Sequence, residues 1–419
     1  MAVLERINFM KMDRDPSGEW IHDSSKKTLK GLPQIFFDNG EPWAAANLYA
    51  FSKLNISIKT VLSNMSHLKA YASWLEAKQL DWRHFPNKKR DRCLFRYRGN
   101  LIDQRTTGAI SPSTTTNRMN AIIHFYRWAK ANGHIERQKL WEDRTKAVRF
   151  YTTAGFARTL AVLSSELSIP NRKCNSTNLE DGLIPLTLAN RDILLHFLDD
   201  HGMKELYMMM LVGFYTGARS ETIRTLRLSS LENTVDDPLT SEIKRIPVGP
   251  PTKVKTKFNV SGSLLMPKPL LHQLEIYSTD IRRLTRQAKS SRENTTLLFL
   301  TNRGNPYSDT SFTKLLSRLR YQLKDAGYSQ FDDFKFHQTR ATYGTHLMKF
   351  AMDELPNQTD AIVFVRDAML HKNEATTWKY IKFIENQPIK EKLADEFFNV
   401  YTGKPVDAQN LIKKVVLDD

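Results

Sequence analysis

The longest uninterrupted apolar run in the chain, Leu206 to Phe214, stops just short of a Thr216-Gly217 break. That is about half of the ~20 residues a membrane-spanning helix needs. Elsewhere apolar residues recur at three- and four-residue spacing or come in short pieces bounded by Gly and Pro. Such a chain must bury its apolar surface by packing many short amphipathic helices together, with room for a small sheet. With 419 residues and a 41% hydrophobic share, two or three domains can each close a core of their own.

Charge narrows the partner. Lys plus Arg outnumber Asp plus Glu by 62 to 45, a net +17. A polyanion is therefore favoured, nucleic acid ahead of a membrane surface. Cys93 and Cys174 are too few for a disulfide framework or a four-cysteine zinc site. The start, Met-Ala-Val-Leu-Glu-Arg, lacks the apolar core of a signal peptide. The expectation is a soluble cytoplasmic protein.

Taken in order, residues 1–36 read as a polar N-terminal extension carrying Lys26, Lys27 and Lys30, either a plain tail or an arm that touches DNA. Residues 37–150 read as a small all-α domain. Val61, Met65, Leu68, Ala72 and Leu75 mark one helix face; Met119, Ile122, Phe125, Tyr126 and Ala129 mark another, opened by Pro112 and closed by Asn132-Gly133. Between the helices lies a basic stretch with Lys88, Lys89, Arg90, Arg92, Arg96 and Arg98, which suits DNA and equally a solvated face. Residues 151–186, broken by Pro170, Gly182 and Pro185, read as a linker with one short helix around Phe156 to Leu167. Residues 187–385 read as a second, α+β domain: helices, then short strands over 241–267, then helices again. Residues 386–419 form a tail in which Ile389, Leu393, Phe397 and Val400 can line one helix face. The fold class expected is mainly α with a small antiparallel β-sheet.

Four stretches carry chemistry. They are Thr216-Gly-Ala-Arg219, the lysine-rich Thr252-Lys-Val-Lys-Thr-Lys-Phe258, His337-Gln-Thr-Arg340, and His371 followed nine residues on by Tyr380. His337 and Arg340 lie one helical turn apart and can face one site. Thr376 and Thr377 are good N-cap residues, which puts Tyr380 on the first turns of a helix. Guanidinium groups suit the charge that builds on two phosphate oxygens during displacement at phosphorus. Each residue alone has a blander reading: an arginine in an ion pair, a histidine or tyrosine in a core, a lysine on DNA backbone.

In this order and spacing the residues resemble the catalytic signature of the tyrosine recombinases, the phage-integrase family. The likeness is detailed over about 185–385 and looser over 37–150, which is similar to the family's helical core-binding domain. The resemblance implies DNA breakage and rejoining through a 3′-phosphotyrosine. Arg219 and Arg340 would clamp the phosphate, His337 would be the candidate base, His371 a donor to the phosphate, and Tyr380 the nucleophile. A hairpin lysine would protonate the leaving 5′-oxygen; Lys255 fits best, then Lys257, then Lys253. It further implies no cofactor, no metal and no ATP, double-stranded DNA attachment sites as partner, a homotetramer on DNA, and a prokaryotic phage or mobile element as source. A regulator that keeps the fold without catalysis is the alternative from another class, and a type IB topoisomerase-like enzyme the alternative within this chemistry. The sequence departs from the family in three places. Leu370 stands where glycine is usual; Glu221 comes two places after Arg219, with Thr222 in the usual acidic position; and Lys255 to Pro267 is longer than the usual hairpin.

Overall fold

A computed structural model of the chain describes residues 1–10, 12–14, 17–22, 28–135, 140–151, 157–171, 179 and 183–386 other than 373 and 375. The chain divides into two compact units, Met1–Cys174 and Asn175–Asp419.

In the first unit, β1 (Val3–Phe9) pairs antiparallel with β4 (Leu29–Phe36), and the short β2 (Met12–Arg14) pairs with β3 (Trp20–His22). Residues 1–36 were expected as an extension. Instead Ala2, Leu32 and Ile35 are buried, and Asn47 binds both the amide and the carbonyl of Ile35, at 2.8 and 3.1 Å. Four helices follow: α1 (Ala44–Ser52), α2 (Ile58–Ala77), α3 (Cys93–Thr106) and α4 (Pro112–Ala131).

Ser111 caps α4 by accepting from the Thr114 amide, with Pro112 in the first turn. The stretch expected only as basic is α3, which buries Cys93, Leu94, Tyr97 and Leu101 along one stripe and leaves its cations outside. Aromatic rings fill the core: Trp43, Tyr71, Trp82, Phe125 and Tyr126 meet one another at centroid distances of 5.2 to 6.2 Å. The buried hydroxyls of Tyr71 and Tyr126 are linked at 2.9 Å, and Tyr126 donates on to the Trp82 carbonyl. Where a linker with a short helix was expected, β5 (Asp143–Tyr151) pairs residue for residue with β6 (Ala157–Ser165). Thr159, Val162 and their neighbours favour the extended chain over a helix.

The second unit opens with α5 (Leu188–Asp200), capped by Thr187, and α6 (Lys204–Thr216). α6 stops where Gly217 turns left-handed at φ 63°. Two short helices follow, α7 (Ser220–Arg224) and α8 (Leu228–Glu232). β7 (Val235–Asp237), β8 (Thr240–Val248) and β9 (Gly262–Pro267) then form the antiparallel sheet expected from sequence. The lysines lie in the connection between β8 and β9.

The helices expected after the sheet begin with α9 (Lys268–Thr279) and α10 (Ile281–Ala288). Asp280 caps the second by accepting from the Arg282 amide at 2.8 Å. After α11 (Asp309–Asp325) come α12 (His337–Glu354), α13 (Gln358–Ala368) and a final helix, α14, over 376–386. The chain is mainly helical with small antiparallel sheets. The apolar stripe from Ile389 to Val400, Cys174, and Lys26 and Lys27 lie outside the described residues. Among the described residues no helix is long and apolar enough to cross a membrane.

Two features of this unit resist a simple inside–outside reading. Arg283 on α10 is only 1% exposed, and its guanidinium donates to the carbonyls of Ser278, Thr295, Leu297 and Leu298 and to Gln287, at 3.0 to 3.3 Å. One arginine thus satisfies four main-chain acceptors, and those of Leu297 and Leu298 would otherwise be buried without a partner. Glu205, also buried, takes a bidentate pair from Arg282 and a further bond from Arg286. Arg283→Met would keep the stem and strand those carbonyls, each an unmet buried acceptor worth about 1–3 kcal/mol. We expect a loss of roughly 3 kcal/mol or more in urea unfolding of the whole chain.

Candidate active site

The site is built where α12 crosses α6 and meets the turn after α13. Close approach is set by glycine. A Cβ on Gly213 would lie 2.5 Å from Thr339 Oγ1, and one on Gly217 would lie 2.4 Å from the Tyr343 ring. Arg340 emerges from this crossing at 2% exposure. Its Nη1 donates to the Gly217 carbonyl and its Nη2 to the Met369 carbonyl at 2.7 Å. Both acceptors cap helix C-termini, those of α6 and α13, where the helix dipoles present negative charge. One buried cation therefore pins the Arg219 turn and the His371 turn together.

The turn after α13 has a defined geometry. The His371 amide donates to Arg366 O at 2.9 Å and the Leu370 amide to Asp367 O at 3.1 Å. Leu370 is left-handed at φ 51°. This is the six-to-one and five-to-two pattern that ends helices, and its left-handed position explains why glycine would be the easy choice there. Leucine costs about 1–2 kcal/mol of backbone energy in that conformation. In return its side chain lies against Gly262 at the start of β9, where any Cβ would meet Leu370 Cδ2 at 2.5 Å. The departure leaves the turn intact and braces it against the lysine connection. Arg366 ties the same turn to Glu374, two residues before α14, at 2.8 Å.

His371 is 7% exposed, and its Nδ1 lies 2.9 Å from Thr377 Oγ1. Its ring stacks near that of Tyr380, with centroids 6.2 Å apart and planes at 23°. Tyr380 is wholly buried and rests over Gly344, one turn beyond Arg340, where a Cβ would come within 2.6 Å of its ring. Thr377, suggested by sequence as a cap residue, instead lies within α14 and orients His371.

A small cavity opens beside Arg340. Arg219, Thr222, Lys257, Arg340 and Leu370 line it. The structure therefore brings Arg219 and Arg340 together, and Lys257 with them. Lys255, the lysine favoured from sequence, is exposed and is not in the lining; its amide instead donates to Thr225 Oγ1 at 2.9 Å. Phe258 and Asn259 both turn left-handed, at φ 63° and 54°, which redirects the chain just after Lys257. His371 opens on a neighbouring hollow with Arg245, Gly262 and Arg366. His337 is half-buried at the first residue of α12. Thr222, in place of an acidic residue, is buried at the cavity wall. No cluster able to hold a metal ion occurs among the described residues.

Residues 186–386 match the model of the phage integrase family. They belong to that family, the tyrosine-type site-specific recombinases. The fold agrees. The Tn1549 transposon integrase, solved with transposon right-end DNA, superposes with a TM-score of 0.50 at 14% identity, over 84% of this chain and 98% of that one. A lambda integrase dimer bound to a core site gives a TM-score of 0.47 at 15% identity, over 80% and 94%. The comparison with curated proteins gave no match.

The recombinase segment should also carry a pH signature. Burial pushes the Tyr343 hydroxyl up to about 12, against an ordinary tyrosine near ~10, although the Arg340 cation opposes the shift. The folded state therefore holds this proton longer than the unfolded one. Its contribution is complete below about pH 10 and is lost as pH rises toward about 12. Urea midpoints of wild type should fall across that window, and Tyr343→Phe should flatten the fall; an unchanged slope would contradict the assignment.

Proposed function

We propose that the chain is a site-specific DNA recombinase that breaks and rejoins strands through a 3′-phosphotyrosine, in the integration or excision of a phage or other mobile element. The observation that carries this reading is one cavity lined by Arg219, Arg340 and Lys257, with its wall braced to the turn that holds His371 beside Tyr380. A scissile phosphodiester is the ligand this charge suits. Arg219 and Arg340 would donate to its non-bridging oxygens; a guanidinium has five N–H groups and can hold carbonyls and phosphate together. His371, oriented by Thr377, would add a further donor through Nε2.

Tyr380 Oη would attack phosphorus, its proton passing to His337 as the P–O5′ bond breaks. Lys257 would protonate the departing O5′. Attack by the 5′-hydroxyl of another broken strand reverses the step and releases Tyr380, so bond energy is kept and no nucleotide is consumed. Because Tyr380 is wholly buried in this structure, its ring must come out from beneath His371 when DNA is engaged. The same burial suits the second reading, a DNA-binding regulator without catalysis.

Double-stranded DNA is the partner this reading requires. The Tn1549 and lambda integrases solved with DNA support it, and a homotetramer on two duplexes would allow paired exchange.

The test is strand exchange on the DNA that flanks the gene, with a chelator present and nucleotide absent. Wild type should yield joined products, and Arg340→Ala should lose about 10²–10³-fold or more. Lys257→Ala should lose about 10²–10⁴-fold in cleavage, and Lys255→Ala far less. Sulfur in place of the leaving 5′-oxygen needs no proton, so that substrate should restore Lys257→Ala. Specific binding without exchange would favour the regulator.

A further inference from the structure

Phe258 is the most exposed aromatic ring beside the cavity, at 69%, and nothing in the core accounts for its position. It takes φ 63° and ψ 20°, and Asn259 after it takes φ 54°. Asparagine takes this conformation readily, but for Phe258 it costs about 1–2 kcal/mol. The loop is closed by its own bonds, Thr256 Oγ1 donating to Val260 O at 2.6 Å and the Asn259 amide to Thr256 O at 3.2 Å. Strain of this kind, held by its surroundings and beside a site, points to a role for the residue it presents.

Two lysine cations approach the ring. Lys257 Nζ lies 5.4 Å from its centroid and Lys372 Nζ 5.6 Å. Lys257 faces the cavity with Arg219 and Arg340, and Lys372 directly follows His371. Phe258 is therefore one residue, about 3.8 Å of main chain, from a group that lines the candidate phosphate site. An apolar protein groove would have to desolvate both ammonium groups to cover this ring. A nucleic acid strand meets the demand directly, with phosphates for the lysines and a base face for the ring.

We propose that Phe258 stacks on the nucleobase next to the phosphate held by Arg219 and Arg340, replacing the neighbour that base loses when its strand opens. This rests on the recombinase reading and adds a positioning residue to it. Stacking of one base on one aromatic side chain is worth about 1–3 kcal/mol. Because every base has such a face, the contact supports strand opening without reading sequence.

The test uses the full chain and duplexes from the gene-flanking DNA, some carrying an abasic site moved position by position across the bound region. Equilibrium affinity is read for wild type, Phe258→Gly and Phe258→Trp. Glycine suits the left-handed backbone, so Phe258→Gly should fold at least as stably as wild type. It should nevertheless bind the intact duplex about 10-fold more weakly, with an unchanged salt slope because no phosphate contact is lost. Phe258→Trp should stay within about 3-fold of wild type. On the duplex abasic at one position beside the cleavage point, the gap between wild type and Phe258→Gly should shrink below about 2-fold. Equal affinity of wild type and Phe258→Gly on intact DNA, or a gap that persists on every abasic duplex, would overturn the proposal. Covalent adduct formation on the same duplexes reports separately on catalysis. Wild type that shows the abasic pattern yet forms no adduct would keep the stacking residue and remove the recombinase.

Discussion

The two bonds from Arg340 to the Gly217 and Met369 carbonyls are the constraint on which the site depends. Each carbonyl ends a helix, so the guanidinium sits between two negative dipole ends and draws α6 and α13 together. Its own helix, α12, contributes the close contacts through Thr339 on Gly213 and Gly344 under Tyr380. Arg219 lies two residues past the first carbonyl, and His371 two past the second. A displacement of Arg340 would therefore move both proposed phosphate ligands and loosen the bed of the proposed nucleophile. The site is positioned by the ends of helices, and helix ends are where unmet donors and acceptors are available.

Around that fixed point the chain accepts strain where the site is made. Leu370 holds a turn that glycine would make easily, and its side chain spans to Gly262. Phe258 and Asn259 bend the connection that carries Lys257 to the cavity. These positions join the lysine connection, the His371 turn and the cavity beside Arg340 into one mechanical unit. Binding of DNA at one part should be felt at the others, and release of the buried Tyr380 is the movement such coupling would have to deliver.

Much of the site was legible in the sequence because its residues are local pairs. The three-residue gap of His337 and Arg340 and the nine-residue gap of His371 and Tyr380 survive as spacing. Long helices were legible for the same reason, through Val61 to Leu75 and Met119 to Ala129. What escaped depends on contacts between distant segments. The stripe of α3 is masked by its arginines, and β1, β4, β5 and β6 are held by main-chain pairing between two segments. Arg283 looks like a surface residue of a basic helix, since its carbonyl partners from Thr295 to Leu298 come from another segment. That Lys257 rather than Lys255 lines the cavity accompanies a left-handed Phe258, which no propensity forecasts.

The central claim is that these turns serve a nucleophilic Tyr380. The most direct measurement is covalent trapping on a nicked duplex from the gene-flanking DNA, in which the released fragment diffuses away and religation cannot occur. The account predicts a denaturant-resistant adduct with wild type, attached through a 3′-phosphate to a peptide containing Tyr380, and none with Tyr380→Phe. Specific binding of that duplex by wild type with no adduct, or an adduct that persists in Tyr380→Phe, would contradict it.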